Sequence, residues 1–497
     1  MDAITRAELS ATPLPWRERM MIRAYRLFLE NRMFESRALY EQLIAKDPGD
    51  VDAWYGLGDA WFHDTIPAPA RFTPSLRAFK RALALDPGYT LAFEHVSAIL
   101  ALASRPRPNL VLLASDSIAG QGESGGKYDE PAVQAAVARA RAESIRLAQD
   151  WVTLQPATPR AHEALLTALL AGRDFAGAER ELARFRTAAP RYPELLVDEA
   201  RIRVAQGDVR SATTRLAASM DSLNGNDLEQ LRGANDAVER MAAAANLFAY
   251  RGNVARAARV IDQTSRLRLG RAASDDEPPH AERDLMQWHR LGELYSAVGV
   301  PAAGMRRVWE SAAESARSSP KEKRGKALAA GGSAAVGLLT APRPDAAPLK
   351  ELTAMSGEQP VKEVRALLAL QQADEAGARK ALAEPEPTMS MEKPGYMVFR
   401  RPLAAQAWYL LGDYDRALSL LESFEPDQFS TTQFDMRWGM VGRVRLLRGA
   451  VLEKLGREAD AKRQYQLALE QWEDADPDLQ TLVEEAQKGL ARLEGRS

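Results

Sequence analysis

Residues 51–87 read VDAWYGLGDAWFHDTIPAPARFTPSLRAFKRALALDP, and their spacing decides the fold. Trp54, Leu57, Gly58 and Trp61 fall at i, i+3, i+4 and i+7, which puts four side chains on one face of a helix. Ser75, Phe79 and Ala82 repeat that face in the second half, and Pro87 ends the run because proline cannot continue a helix. The stretch therefore predicts two short helices packed face to face. Gly58 is small where a larger residue would hold them apart, and the tryptophans give each short helix enough apolar area to be worth burying.

Working outward, the same construction recurs. Ala24 and Leu27, a turn at Asn31, then Ser36, Tyr40, Leu43 and Pro48 form an earlier copy behind a lead-in over residues 1–16, whose Leu14-Pro-Trp16 is expected to pack over this first hairpin. Phe93, Val96, Ser97 and Leu100 open a third copy, whose partner helix arrives late at Ser144, Ala148 and Trp151, after a flexible glycine-rich insertion expected over 104–130. Register then recovers with Leu165, Leu166 and Leu169 against Ala178, Leu182 and Phe185. Further on, a turn glycine is followed five residues later by a small residue: Gly207 with Ala212, Gly252 with Ala257, Gly299 with Gly304, Gly412 with Ala417, Gly456 with Ala461. Glycine permits the tight reversal and the small residue lets the second helix return close to the first.

These features resemble the tetratricopeptide repeat, a helix hairpin of about 34 residues. The resemblance implies an all-α chain, an α-solenoid of tetratricopeptide-like hairpins over 17–318, shorter or imperfect helix pairs and a proline-rich connector over 319–397, and C-terminal repeats over 398–497. A capping helix closes the last part, with Leu479, Leu482, Val483, Ala486, Leu490 and Leu493 as its apolar stripe. A stack of repeats also accommodates 497 residues without three separate cores.

Composition narrows the function. With 66 basic and 68 acidic residues the formal net charge is −2, too balanced for a phosphate-binding field, so nucleic acid is not an expected partner. The absence of cysteine removes disulfides, thiolate metal sites and cysteine nucleophiles, and suits a cytoplasmic chain. The longest uncharged run, between Lys326 and Arg343, falls short of the roughly 20 residues a spanning helix needs, so no membrane insertion is expected. His63, His95, His162, His280 and His289 are far apart in sequence with no HExxH, so neither a metal nor a catalytic site is predicted. Gly120–Lys127 contains GxGxxG, yet Gln121 stands where a phosphate loop has its first glycine and Tyr128 where it has its hydroxyl, so no nucleotide cofactor is expected. Arg437, Arg443, Arg445 and Arg448 form a charge cluster, read as solvated charges or as a seat for an acidic or phosphorylated peptide.

The stretch LPWRERMMIRAYRLFLENRMFESRALYEQLIAKDPGDVDAWYGLGDAWFHD and the terminal EQWEDADPDLQTLVEEAQKGLARLEG are similar to the start and end of the repeat region that follows the catalytic domain in bacterial serine/threonine protein kinases. Kinase parts themselves are missing; His289-Arg290-Leu291 and Asp174-Phe175-Ala176 are the nearest fragments, in reverse order. The resemblance implies a non-enzymatic protein–protein interaction scaffold or sensor module in bacterial signalling. Its ligand would be a peptide or partner protein in a concave groove lined by the first helix of each hairpin. By register the groove residues are Tyr25, Phe28, Tyr55, Asp59, Phe62, His63, Asn246, Tyr250, His289, Glu293 and Tyr409. The alternatives are an enzyme or nucleotide site at the 104–130 insertion, and the effector half of a transcription regulator.

Overall fold

The computed structural model describes residues 2–66, 70–104, 110–113, 116–120, 131–190, 192, 195–231, 235–267, 281–321, 324–384, 394–422, 424–426, 429 and 434–495. They form two compact units, Met1–Tyr192 and Pro193–Ser497. Among the described residues no helix is long and apolar enough to cross a membrane.

The first unit runs α1 (Asp2–Leu9), α2 (Trp16–Leu29), α3 (Met33–Lys46), α4 (Val51–Phe62), α5 (Phe72–Leu85), α6 (Thr90–Ala103), β1 (Leu110–Leu112), β2 (Ile118–Gly120), α7 (Pro131–Leu154), α8 (Pro159–Ala171) and α9 (Phe175–Ala188). From α1 to α9 each helix packs on the next in sequence. The deciding stretch is α4 and α5. A Cβ on Gly58 would stand 2.7 Å from the Phe79 ring, and Ser75 Oγ–H donates to the Gly58 carbonyl at 2.9 Å. The first hairpin repeats the second contact, Ser36 Oγ–H donating to the Ala24 carbonyl at 2.9 Å. Gly58→Leu is expected to overpack this hairpin and cost about 1–3 kcal/mol in urea unfolding followed by circular dichroism; unchanged stability would mean the pairing is wrong.

Part of the insertion between α6 and α7 is ordered. β1 and β2 pair antiparallel, with Leu110, Leu112 and Ile118 buried in the core cluster that holds Leu76, Phe79 and Ile99. Thr73 Oγ1 accepts from the Ile118 amide at 2.8 Å and Lys80 Nζ reaches Asp116 at 2.5 Å, so the strand pair is tied to α5. Where a flexible segment was expected, the apolar run at 110–112 has instead found a partner strand and a core. The glycines and lysine of Gly122–Lys127 lie outside the described residues. Past the insertion, Trp151 of α7 stacks on Phe93 of α6 with centroids 5.2 Å apart, which restores the interrupted hairpin.

The second unit runs α10 (Leu195–Ala205), α11 (Val209–Asp221), α12 (Gly225–Leu231), α13 (Asn235–Tyr250), α14 (Val254–Leu267), α15 (Ala281–Val298), α16 (Ala302–Ser318), α17 (Arg324–Leu339), α18 (Ala347–Ser356), α19 (Lys362–Gln371), α20 (Glu375–Ala383), α21 (Pro394–Leu410), α22 (Tyr414–Leu421), α23 (Arg437–Lys454), α24 (Glu458–Gln471) and α25 (Gln480–Glu494). All five turn glycines singled out by spacing have positive φ, between +71° and +89°, the left-handed conformation that closes a helix at low cost only for glycine. Asn31, Arg173 and Ala373 hold the same conformation in three other hairpins, each followed five residues on by a fully buried small residue, Ser36, Ala178 and Ala378.

Two features depart from a stack in which each hairpin touches only its neighbours. The glycine-rich run after Arg324 is a continuous 16-residue helix, α17, buried along nearly its whole length between α15 and α16. And α23, buried along most of its length, packs against α13 and α15 as well as α24. Gln471 Nε2–H donates to the Tyr250 carbonyl at 2.7 Å and the Asp476 amide to the Gly252 carbonyl at 3.0 Å, so the C-terminal hairpin is joined to one more than 200 residues earlier. As expected, α25 caps α24, burying Leu482, Ala486 and Leu493.

Candidate functional site

Helices α2, α4 and α6 are the first helices of successive hairpins. Once the hairpins have packed, each keeps one face, and those faces carry a continuous run of rings. Tyr25, 48% exposed, stacks on Phe28 at 6.0 Å, and Phe28 meets the edge of His63 at 5.6 Å. His63 lies 5.1 Å from Phe62, Phe62 lies 5.0 Å from His95, and His95 lies 5.6 Å from Tyr55. Tyr55 ends the run against Tyr89 at 5.5 Å. Polar groups border it: Tyr89 O–H donates to Asp52 at 3.0 Å, and Arg17 bridges Asp50 at 2.6 Å and Asp52 at 2.9 Å. The six groove residues expected in this unit, Tyr25, Phe28, Tyr55, Asp59, Phe62 and His63, thus stand together.

His95 and Tyr89 were missed as members of this strip. Asp59 Oδ1 lies 3.3 Å from His63 Nε2 and 3.2 Å from His95 Nε2. The expectation that the histidines do not converge is corrected here: Asp59 and His63 share a face because they are four residues apart on α4, and the packing of α6 on the neighbouring hairpin brings His95 to them. Burial works to raise the Asp59 carboxyl, but the two imidazoles outweigh it and hold the pKa below the ordinary carboxylate value. For His95, burial works to lower the pKa, while Asp59 and the Leu91 carbonyl raise it to a net upward shift.

The groove residues expected in the second unit do not form one surface. Asn246 donates its side-chain amide to the Phe434 carbonyl at 3.0 Å, and Tyr250 is buried with its ring 5.6 Å from Trp438. Both are interior contacts, made because α23 covers the face of α13 that the register left open. Tyr409 borders a cavity of about 460 Å³ shared by Pro402, Met440, Arg443, Leu482 and Glu485. Burial pushes the Arg443 guanidinium down to about 10, and its N–H groups donate to the Ser296 carbonyl at 2.8 Å and the Thr340 carbonyl at 2.9 Å, at the C-terminal ends of α15 and α17. The arginine cluster of α23 is likewise engaged internally. Arg437 pairs with Asp435 and Arg448 with Glu425, while Arg445 donates to Gln471 at 2.8 Å.

His289 and Glu293 adjoin on α15, Nε2 to Oε1 3.3 Å. Burial pushes the Glu293 carboxyl up to about 7; Arg290 pulls it down and Asp435 adds a small upward push. Burial, and then Arg290, lowers the His289 pKa. A carboxyl raised from 4.5 to about 7 on folding binds its proton more tightly in the native state. Its contribution is therefore fully present below pH 4.5 and is lost as pH rises through about 7. Glu293→Gln keeps the neutral shape at every pH. Relative to the parent it is expected to gain nothing near pH 4.5 and about 3 kcal/mol above pH 7 in urea unfolding. A pH-independent difference would contradict the assignment.

The hairpins define a tetratricopeptide-like all-α repeat protein. No protein-family model matches the chain, and no curated protein matches it. Among solved structures, MamA residues 41 to the end from Desulfovibrio magneticus RS-1 is similar at 12% identity and TM-score 0.30, over 41% of this chain and 93% of that one. The P58(IPK) TPR domain is similar at 12% identity and TM-score 0.20, over 96% and 98%. A human IFIT1 dimer with PPP-AAAA is similar at 10% identity and TM-score 0.31, over 94% and 93%. At such scores the fold rests on the hairpin geometry above.

Proposed function

We propose that this chain is a non-enzymatic protein–protein interaction scaffold in bacterial signalling, holding a peptide or a partner's exposed segment along the first-helix faces of α2, α4 and α6. The observation that carries the reading is the ring strip from Tyr25 to Tyr89, part exposed and bordered by Asp52, Asp59 and Arg17. Aromatic side chains offer large contact area at small conformational cost, and scattered polar groups at their edges fix the register of a bound backbone. The signalling context rests on the likeness of the two chain ends to the repeat region of bacterial protein kinases.

Peptides selected from a displayed library on the purified chain, then measured singly by fluorescence anisotropy, test the reading. Tyr25→Ala and Phe28→Ala should each weaken a selected peptide about tenfold or more with the helical dichroism unchanged. Phe34→Ala, at a 75% exposed position on α3, should leave affinity intact. Equal affinity in all three variants would remove this face as the docking surface.

A further inference from the structure

Three side chains from two neighbouring helices meet at one point in the strip. Asp59 and His63 lie one turn apart at the end of α4, and His95 lies in the second turn of α6. Their donor atoms all fall within 4.8 Å of one another. In a tetrahedral site with metal–ligand bonds of about 2.0–2.1 Å, ligand atoms are about 3.3–3.4 Å apart. The two separations from Asp59 Oδ1, 3.3 Å to His63 and 3.2 Å to His95, have that length.

Asp59 Oδ1 is buried and makes no hydrogen bond in spite of these approaches. His95 Nδ1 lies 2.8 Å from the Leu91 carbonyl oxygen, which only accepts, so Nδ1 carries the proton. In the neutral ring Nε2 then presents a lone pair toward a carboxylate oxygen, a contact made favourable by a proton on Nε2 or by a metal cation between the two atoms. A histidine whose outer nitrogen is fixed by a backbone carbonyl is also the usual support of a metal ligand, because it sets the tautomer and the ring direction. Phe79 at 4.6 Å and Phe62 at 5.0 Å hold the His95 ring from the interior. The His63 side chain is 49% exposed, which leaves a path for entry.

We propose that Asp59, His63 and His95 form a three-ligand site for a divalent transition cation of the zinc class, with a fourth position open to solvent. Two imidazoles and one carboxylate suit zinc, whereas magnesium and calcium take oxygen ligands. The ion ties α4 to α6 and so fixes the spacing of adjacent first helices within the ring strip. The site rests on these three side chains and stands or falls apart from the docking of a peptide.

Titration of the full chain, stripped by chelator and followed by calorimetry near neutral pH, tests the site. One Zn²⁺ per chain should bind with a dissociation constant of about 1 μM or below, and Mg²⁺ should not bind. Co²⁺ should give the intense visible absorption of a tetrahedral site. His63→Ala, which removes a half-exposed side chain and leaves the core intact, should abolish binding, as should Asp59→Asn and His95→Ala. His289→Ala should bind as the parent does. Absence of zinc binding in the parent, or binding that survives both His63→Ala and Asp59→Asn, would overturn the proposal and leave an imidazolium–carboxylate pair at this place.

Discussion

Trp438→Ala is expected to lower the stability of the second unit by about 3–5 kcal/mol, the range for deleting a fully buried tryptophan. The indole is 1% exposed and stands 5.4 Å from Phe429, 5.9 Å from Phe434 and 5.6 Å from Tyr250, ring centre to ring centre, in edge-on contacts. Tyr250 lies on α13, so the ring is one of the contacts by which α23 closes on a hairpin far away in sequence. The residue after it is glycine for the same reason: a Cβ on Gly439 would stand 3.4 Å from Ala249 and 3.3 Å from Ala297, so α13 and α15 already lie against that face. Because the neighbours are held by these helices, the space left by the indole cannot collapse, which puts the loss at the upper part of the range. In urea unfolding the shift should be confined to the transition that belongs to residues 193–497. Phe34→Ala, at an exposed position of the first unit, should change stability by less than about 0.5 kcal/mol. A loss below about 1 kcal/mol for Trp438→Ala would mean that α23 does not close on α13.

The parts of the fold legible in the sequence are those in which one local requirement decides the residue. A left-handed turn favours glycine strongly enough that spacing alone located five hairpins, from Gly207 to Gly456. Where Asn31, Arg173 and Ala373 make the same turn the signal vanishes, because hairpin packing outweighs a local penalty of about 1–2 kcal/mol. The run at 324–339 misled for the opposite reason. Glycine counts against a helix by about 1 kcal/mol, yet a Cβ on Gly331 would come within 2.7 Å of Ala312, and one on Gly337 within 2.2 Å of the Ser296 hydroxyl, so close approach is what the glycines serve. The site divides in the same way. Asp59 and His63 are joined by helical spacing, whereas His95 stands on the next hairpin, and no spacing within one helix announces that contact. Asn246 and Tyr250 were correctly placed on a first helix, but no periodicity announces that α23 returns to cover them.

The second large effect is expected at Arg400, where Arg400→Met should cost about 3–5 kcal/mol. Its Nε–H donates to Glu363 Oε2 at 3.0 Å and its Nη2–H to Oε1 at 2.8 Å, a bidentate pair joining α21 to α19 with side chains only 7% and 3% exposed. Much of the stabilising attraction in such a pair is offset by the cost of taking both charges out of water, so the pair itself is worth less than the damage done by removing one member. In Arg400→Met the Glu363 carboxylate is left in the core without its bidentate partner. Adding Glu363→Leu removes the stranded charge, and the double variant should recover most of the loss. The double-mutant cycle in urea then gives a coupling of several kcal/mol between positions on α19 and α21. Single-variant losses that simply add would show that the two side chains do not meet and that α19 and α21 are joined by apolar packing alone.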